Sequence, residues 1–283
     1  MILTSLGIGA IAYGAAATFL WWRQSHYLFF PVKALAETPA TINTPFEEVW
    51  LSVEDKDASS KDLYGWWLPT QAPAPLGTLI YLHGNGENIS ANLGLAYRFQ
   101  RLGFSVFLFD YRGYGLSQGP FPNEQRLYQD ANTAWQYVTQ TRQVPPEQVY
   151  LFGHSLGGAI AVELATEQPQ AAGLIVQSSF TSVPEMAQRT FYARLFPVGL
   201  LLNQRFDSLS KVADLQMPVF FIHGLADVSV PPDMSQSLYQ QAAEPKQIWL
   251  VPEARHNNVA EVSGKAYEQR IRQFIENSGL QAK

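Results

Sequence analysis

The chain has 283 residues, 47% of them hydrophobic, and a formal net charge of −5. That is enough apolar material for one large core or two small ones, and the acidic balance offers no broad basic face to a nucleic acid. The absence of cysteine excludes disulfides, thiolate metal sites, a cysteine nucleophile and palmitoylation of this chain, and the five histidines show no metal-ligand spacing, so neither metal nor cofactor is expected.

Residues 2–22, ILTSLGIGAIAYGAAATFLWW, carry no charged side chain. As a helix they would run ~31 Å, close to the hydrocarbon thickness of a bilayer. Trp21, Trp22 and Arg23 would then form an interfacial belt, which HYLFFP at 26–31 extends. No basic region precedes the run, which argues against a cleaved signal peptide. A buried globular helix is seldom so uniformly apolar with tryptophans at one end. The expectation is an N-terminal transmembrane helix in residues 1–25, an interfacial segment and linker in 26–46, and a catalytic domain in 47–283. Arg23 and Lys33 follow the span, so the positive-inside rule places that domain on the cytoplasmic side.

Strand signals then recur. Residues 48–53 and 63–68 read as a leading pair around EDKDASSKD, a polar turn. The run 78–82 follows and stops at HGNGENIS. Gly84-Asn85-Gly86 opens like G-x-G-x-x-G, and Asp110, after the next run 105–109, stands about where a dinucleotide fold places its ribose ligand. Ile89 occupies the position that needs a third glycine or alanine, so this reading is weak. Asp110 has a simpler use, ending a strand and satisfying loop N–H groups before the turns of Tyr111-Arg112-Gly113-Tyr114-Gly115, where Arg112 could help to wall a pocket.

Further strand runs lie at 149–152, 174–177, 219–222 and 247–251, almost continuous in Val, Ile, Leu and Phe, as expected of parallel strands buried on both faces. Between them the period changes: Leu127, Ala131, Ala134, Trp135 and Val138 share one helical face. Alternating strands and helices predict an α/β fold, a mostly parallel eight-stranded sheet with helices on both faces. One connection, about forty residues from 178 to 218, is long enough to be an inserted cap (180–217) over the carboxyl ends of the strands.

GHSLG at 153–157 stands between a predicted strand and a predicted helix, the context that gives G-x-S-x-G its meaning. Gly153 and Gly157 let strand and helix approach, Ser155 sits on a strained turn, and the N–H of Leu156 opens the following helix toward a developing negative charge. The competing use of Ser155 is a plain helix N-cap. A nucleophilic serine needs a base, and the base an orienting acid, in the chain order Ser, acid, His. His256 follows the last strand and has the right order. His223 precedes the acid and reads as a structural strand-end residue. Asp227 follows the 219–222 run by a few residues, Asp207 and Asp214 belong to the insertion, and Asp233 looks like an N-cap. The set is therefore Ser155, Asp227 and His256, with His154 excluded because neighbouring side chains on such a turn point apart.

YLHGNGENIS, FDYRGYGLSQG, GHSLGGAIAVELA, MPVFFIHGLADVSVPP and RHNNV together resemble the serine α/β-hydrolases of the Bem/ABHD type, which are membrane-tethered; the resemblance runs from about residue 63 to the C-terminus, and YLFFP at 27–31 also fits. It implies the α/β-hydrolase fold with a short cap, the same three residues as a triad, and an oxyanion hole made by the backbone N–H of Asn85 with that of Leu156. His154 is a departure, since close relatives often carry arginine there. On this reading Gly84 and Gly86 free the loop backbone and the Asn85 side chain is secondary.

The expected activity is cleavage of a carboxylic ester or thioester through an acyl-enzyme. The membrane segment and apolar insertion suggest acyl or lipid substrates, lipidated proteins included. A peptidase or amidase on the same triad, and a non-catalytic membrane-tethered scaffold, are the alternatives.

Overall fold

The computed structural model describes residues 2–53 and 61–281; the polar turn expected at 54–62 lies mostly outside them. After an N-terminal helix, α1 (Ile2–Leu28), the elements run β1 (Glu47–Val53), β2 (Lys61–Leu68), β3 (Gly77–Leu82), α2 (Leu93–Leu102), β4 (Phe104–Phe109), α3 (Glu124–Gln136), β5 (Val149–His154), α4 (Leu156–Glu167) and β6 (Gly173–Gln177). The segment expected to form the cap, hereafter the cap, follows with two short helices, α5 (Val183–Gln188) and α6 (Val198–Leu201). The chain then closes with β7 (Val219–Gly224), α7 (Pro232–Gln241), β8 (Lys246–Val251), α8 (Val259–Ser263) and α9 (Lys265–Gln281).

The eight strands form one sheet in the order β1-β2-β4-β3-β5-β6-β7-β8. β1 and β2 pair antiparallel, β2 joins β4 antiparallel, and every later pairing is parallel. Alternation along the strands builds two cores. Ile80, Leu82, Phe107, Phe109 and Leu151 face the layer containing Leu127, Ala131, Ala134 and Trp135 of α3 and Ile160 of α4, so the periodic face read from the sequence is buried as expected. Leu79, Tyr81, Val106, Leu108 and Phe152 face Phe99 of α2 and Tyr267, Ile271 and Phe274 of α9.

The chain leaves β3 for α2 on one face and leaves β5 for α4 on the other. The two neighbouring strands therefore open a crevice at their carboxyl ends, the place where such sheets bind ligands. The loop after β3 and the turn after β5 meet there.

The N-terminal segment departs from expectation. Residues 2–28 are helical, but among the described residues no helix is long and apolar enough to cross a membrane, so the transmembrane helix expected over 2–22 is not supported. The helix leans on the cap instead. Tyr13 Oη donates to the Leu195 carbonyl at 3.0 Å, and its ring stacks on Phe196. Gln24 receives the Asn203 N–H at 2.8 Å and His26 stacks on Phe121. Beyond the helix, Phe29 is buried against Phe206.

Candidate active site

The turn after β5 is fixed by steric exclusion. A Cβ on Gly153 would lie 2.3 Å from the Gly157 carbonyl oxygen, and one on Gly157 would lie 2.0 Å from that of Leu82. Only glycine permits that approach of strand to helix. Ser155 takes φ 55° and ψ −120°, a conformation that L-residues rarely adopt, and its side chain makes no capping bond, so it is not the N-cap that a serine before a helix would otherwise be. The Gln177 carbonyl receives its N–H at 2.9 Å, and Ser179 Oγ donates to its carbonyl at 2.8 Å.

Two loops bring the partners. After β7, Asp227 Oδ1 accepts the N–H groups of Ser229 and Val230 at 2.8 and 2.9 Å. After β8, Ala254 accepts the Ala226 N–H, and a Cβ on Gly224 would come 2.2 Å from the Ala254 oxygen, so the two loops run in contact. His256 thereby lies with Nδ1 2.7 Å from Asp227 Oδ2 and Nε2 3.0 Å from Ser155 Oγ. The structure brings all three residues together, with Asp227 buried and the His256 ring slightly open to solvent. Burial alone would raise the Asp227 pKa, but bonds from His223, His256 and the Val230 N–H outweigh it and hold the carboxyl well below the usual range. Nδ1 of His256 thus carries its proton toward a carboxylate, leaving Nε2 to accept from the serine hydroxyl.

Three residues do more than their sequence reading suggests. His154 makes no bond to Ser155, but its Nε2–H donates to the backbone carbonyl of His256 at 3.0 Å, fastening the elbow to the loop that carries His256. Burial, and the nearby His256, push its pKa down to about 4. His223 is wholly buried and bonds to Asp227. Asp233 is not an N-cap: it lies in the first turn of α7 and pairs with Arg189 of the cap at 2.6 Å.

The loop after β3 faces the elbow: a Cβ on Gly84 would stand 3.4 Å from Ser155 Cβ. Gly86 has open space around it and no unusual φ, so the steric freedom expected of it is not used. Neither the Asn85 nor the Leu156 N–H has a protein acceptor among the described residues. The Asn85 side chain is not secondary, because it holds its own backbone. Its Nδ2 donates to the Leu28 carbonyl at 2.6 Å, while its carbonyl accepts from Phe30 N–H at 3.2 Å and Tyr114 Oη at 2.8 Å. Asn88 Nδ2 donates to Val32 and Ala34 at 3.1 and 2.7 Å.

From within, His83 Nδ1–H donates to the Gly84 carbonyl at 2.7 Å, and Asp110 Oδ1 accepts the Ile89 N–H at 2.9 Å. Burial raises the Asp110 pKa against the opposing pull of His83 and that N–H. Asp110 is thus a loop-satisfying residue, as its strand-end position suggested. Arg112 lines no pocket: its guanidinium is buried on Asp130 Oδ1 at 2.6 Å and on Gln129 Oε1 at 2.7 Å. Burial raises the pKa of Asp130 to about 6 against the pull of that arginine.

Comparison with known proteins agrees with this architecture. The serine aminopeptidase S33 family matches residues 73–210. An uncharacterized protein of Mycobacterium tuberculosis strain CDC 1551 is 32% identical over 98% of this chain and 96% of its own length. The protein bem46 of Schizosaccharomyces pombe is 30% identical, covering 98% of this chain and 93% of its own. Among solved structures, the esterase Pf2001 of Pyrococcus furiosus superposes with a TM-score of 0.72 at 19% identity, covering 88% of this chain and 98% of that one; at that identity it speaks for the fold alone.

Proposed function

This chain belongs to the α/β-hydrolases of the Bem/ABHD type, and we propose that it is a serine hydrolase cleaving carboxylic esters or thioesters of acyl and lipid-type substrates. The observation that carries the proposal is the continuous relay from Ser155 Oγ through His256 to Asp227 at 3.0 and 2.7 Å. Ser155 Oγ attacks the substrate carbonyl and passes its proton to His256 Nε2. The oxygen that becomes negative is met by the N–H groups of Asn85 and Leu156, neither of which is taken by a protein acceptor among the described residues, so no protein hydrogen bond has to break first. Collapse of the tetrahedral adduct breaks the bond to the alcohol or thiol, which takes the proton back from Nε2. His256 then deprotonates a water that releases the acid from Ser155.

Turnover of p-nitrophenyl acyl esters tests this. Wild type is expected to hydrolyse them with a preference among chain lengths, and Ser155→Ala to lose about a thousandfold or more. Equal rates in the two proteins would end the assignment. The match to a family described as serine aminopeptidases favours amide cleavage as a second reading. Paired ester, thioester and aminoacyl-amide substrates separate the two. An inert scaffold would leave Ser155 unlabelled by a fluorophosphonate probe.

The proposal includes attachment to a lipid surface through the N-terminal segment. Its support is exposed apolar side chains on two elements: Ile8, Ile11, Phe19 and Trp22 along one side of α1, and Phe191, Leu195 and Leu200 of the cap. Flotation with phospholipid vesicles checks it, Ile8→Glu/Ile11→Glu being expected to release the protein. Arg23 and Lys33 favour the cytoplasmic face, which protease protection reads directly.

A further inference from the structure

Asp227 Oδ2 accepts two ring N–H groups. One comes from His256. The other is His223 Nε2, 3.1 Å away and also 2.9 Å from the Val230 carbonyl. A carbonyl oxygen can only accept, so Nε2 of His223 carries a proton, shared between that carbonyl and the carboxylate. On the other side of the ring, Nδ1 lies 2.6 Å from Ser235 Oγ, whose second neighbour, the Ser179 carbonyl, is 3.5 Å off. The Ser235 hydroxyl therefore holds the Nδ1 edge of the ring and fixes its orientation. His223 and Ser235 are both fully buried.

We infer that His223, held by Ser235, is a positioning residue for the relay: it fixes the Asp227 carboxylate and limits how strongly that carboxylate grips His256. The inference deepens the serine-hydrolase reading of the same site and rests on it. Every lone pair of the carboxylate that faces the relay is engaged. Oδ1 is taken by the Ser229 and Val230 N–H groups, and Oδ2 by the two imidazoles, so the carboxylate cannot rotate about its Cβ–Cγ bond without losing a donor. A donor on Oδ2 also draws electron density from the bond that Oδ2 makes to His256. The other ionisable groups near this ring are His154 on the elbow and Asp233 on α7, and Asp233 is paired with Arg189. Neither of these two makes a hydrogen bond to His223, so the coupling runs through Asp227.

Three variants of the full chain test this. His223→Phe keeps the ring volume and donates nothing. His223→Gln keeps an N–H group near the Nε2 position. Ser235→Ala leaves the ring and removes only its support, and it keeps the question open to experiment if His223→Phe folds poorly. The expected result for His223→Phe is a loss of about tenfold in kcat on p-nitrophenyl butyrate with KM within about twofold. The acidic midpoint of the kcat/KM profile should rise by about half a pH unit, because an Asp227 with one donor fewer binds the imidazolium more tightly. His223→Gln should restore most of both, and Ser235→Ala should shift the midpoint in the same direction by less. A fall in kcat with the midpoint unmoved and no rescue by Gln would reduce His223 to loop support and overturn the inference, as would unchanged kinetics.

A second readout does not need activity. The proton shared by His256 Nδ1 and Asp227 gives a low-field resonance, expected further downfield in His223→Phe; an unmoved resonance also overturns the inference. If the wild type turns over no ester and takes up no fluorophosphonate, the serine-hydrolase reading fails, while the resonance still reports whether His223 controls Asp227.

Discussion

The two N–H groups proposed to meet the oxyanion are held by opposite means. Leu156 belongs to a strand–turn–helix unit whose shape is dictated by steric exclusion: the close approaches at Gly153 and Gly157 and the φ of Ser155 leave the backbone no other course. Asn85 sits in a loop with no such constraint, and residues far away in sequence hold it. Leu28, Phe30, Val32 and Ala34 bind it from outside, and Tyr114 and Asp110 from within. One side of the site is rigid because alternatives clash. The other is rigid only while its hydrogen bonds last, which makes it the side that distant changes can reach.

That contrast can be broken experimentally, starting where the effect is greatest. Gly157→Ala forces a Cβ against the Leu82 carbonyl. It should abolish activity and lower the thermal midpoint by several degrees or more, roughly the 3–4 kcal/mol class of steric lesions, as a melting scan would show. Asn85→Ala keeps the proposed N–H donor but frees it from Leu28. A loss of about ten- to a hundredfold in kcat is expected, with KM little changed and well short of Ser155→Ala. A loss as deep as that of Ser155→Ala would mean that the side chain itself takes part in the chemistry. Tyr114→Phe deletes one bond to the Asn85 carbonyl and should cost about threefold in kcat.

The last effect is one of pH, read in stability rather than rate, and belongs to the elbow side. His154 stays neutral in the fold down to about 4, whereas an unfolded histidine takes up a proton below about 6.5. Between those values the unfolded chain binds more protons. The stability tied to this residue is therefore complete above about 6.5 and declines as the pH falls toward about 4, by about 3 kcal/mol at most. His154→Gln should flatten that part of the melting-temperature profile. An identical profile would show that the elbow gains nothing from a neutral ring.

The same contrast explains what the sequence made legible. The elbow announces itself because its determinants are consecutive: a buried strand, GHSLG and a small-residue helix. Chain order, together with positions a few residues past a strand, then singled out Asp227 and His256, now seen beside Ser155; order alone would also have admitted Asp207, Asp214 and Asp233. The order rule set aside His223 as a base, but it had nothing to say about a donor on the acid's far oxygen, because Ser235 and Val230 come together with His223 only in three dimensions. The N-terminal run misled for a different reason. Apolar side chains leave water equally well for lipid or for protein, so composition does not record that Tyr13 and Gln24 have partners in the cap. The bond between Asn85 and Leu28 ends on a main-chain carbonyl, so the asparagine is visible in the sequence but its partner is encoded by no residue type.

α1 consequently works as a ruler. Gln24 meets the cap and Leu28 meets Asn85, four residues apart and so about one helical turn. A single residue inserted between Gln24 and Leu28 would swing one contact about 100° away from the other. Along this stretch the tolerance of the protein is counted in whole turns, and a one-residue slip on its outer surface is felt beside Ser155.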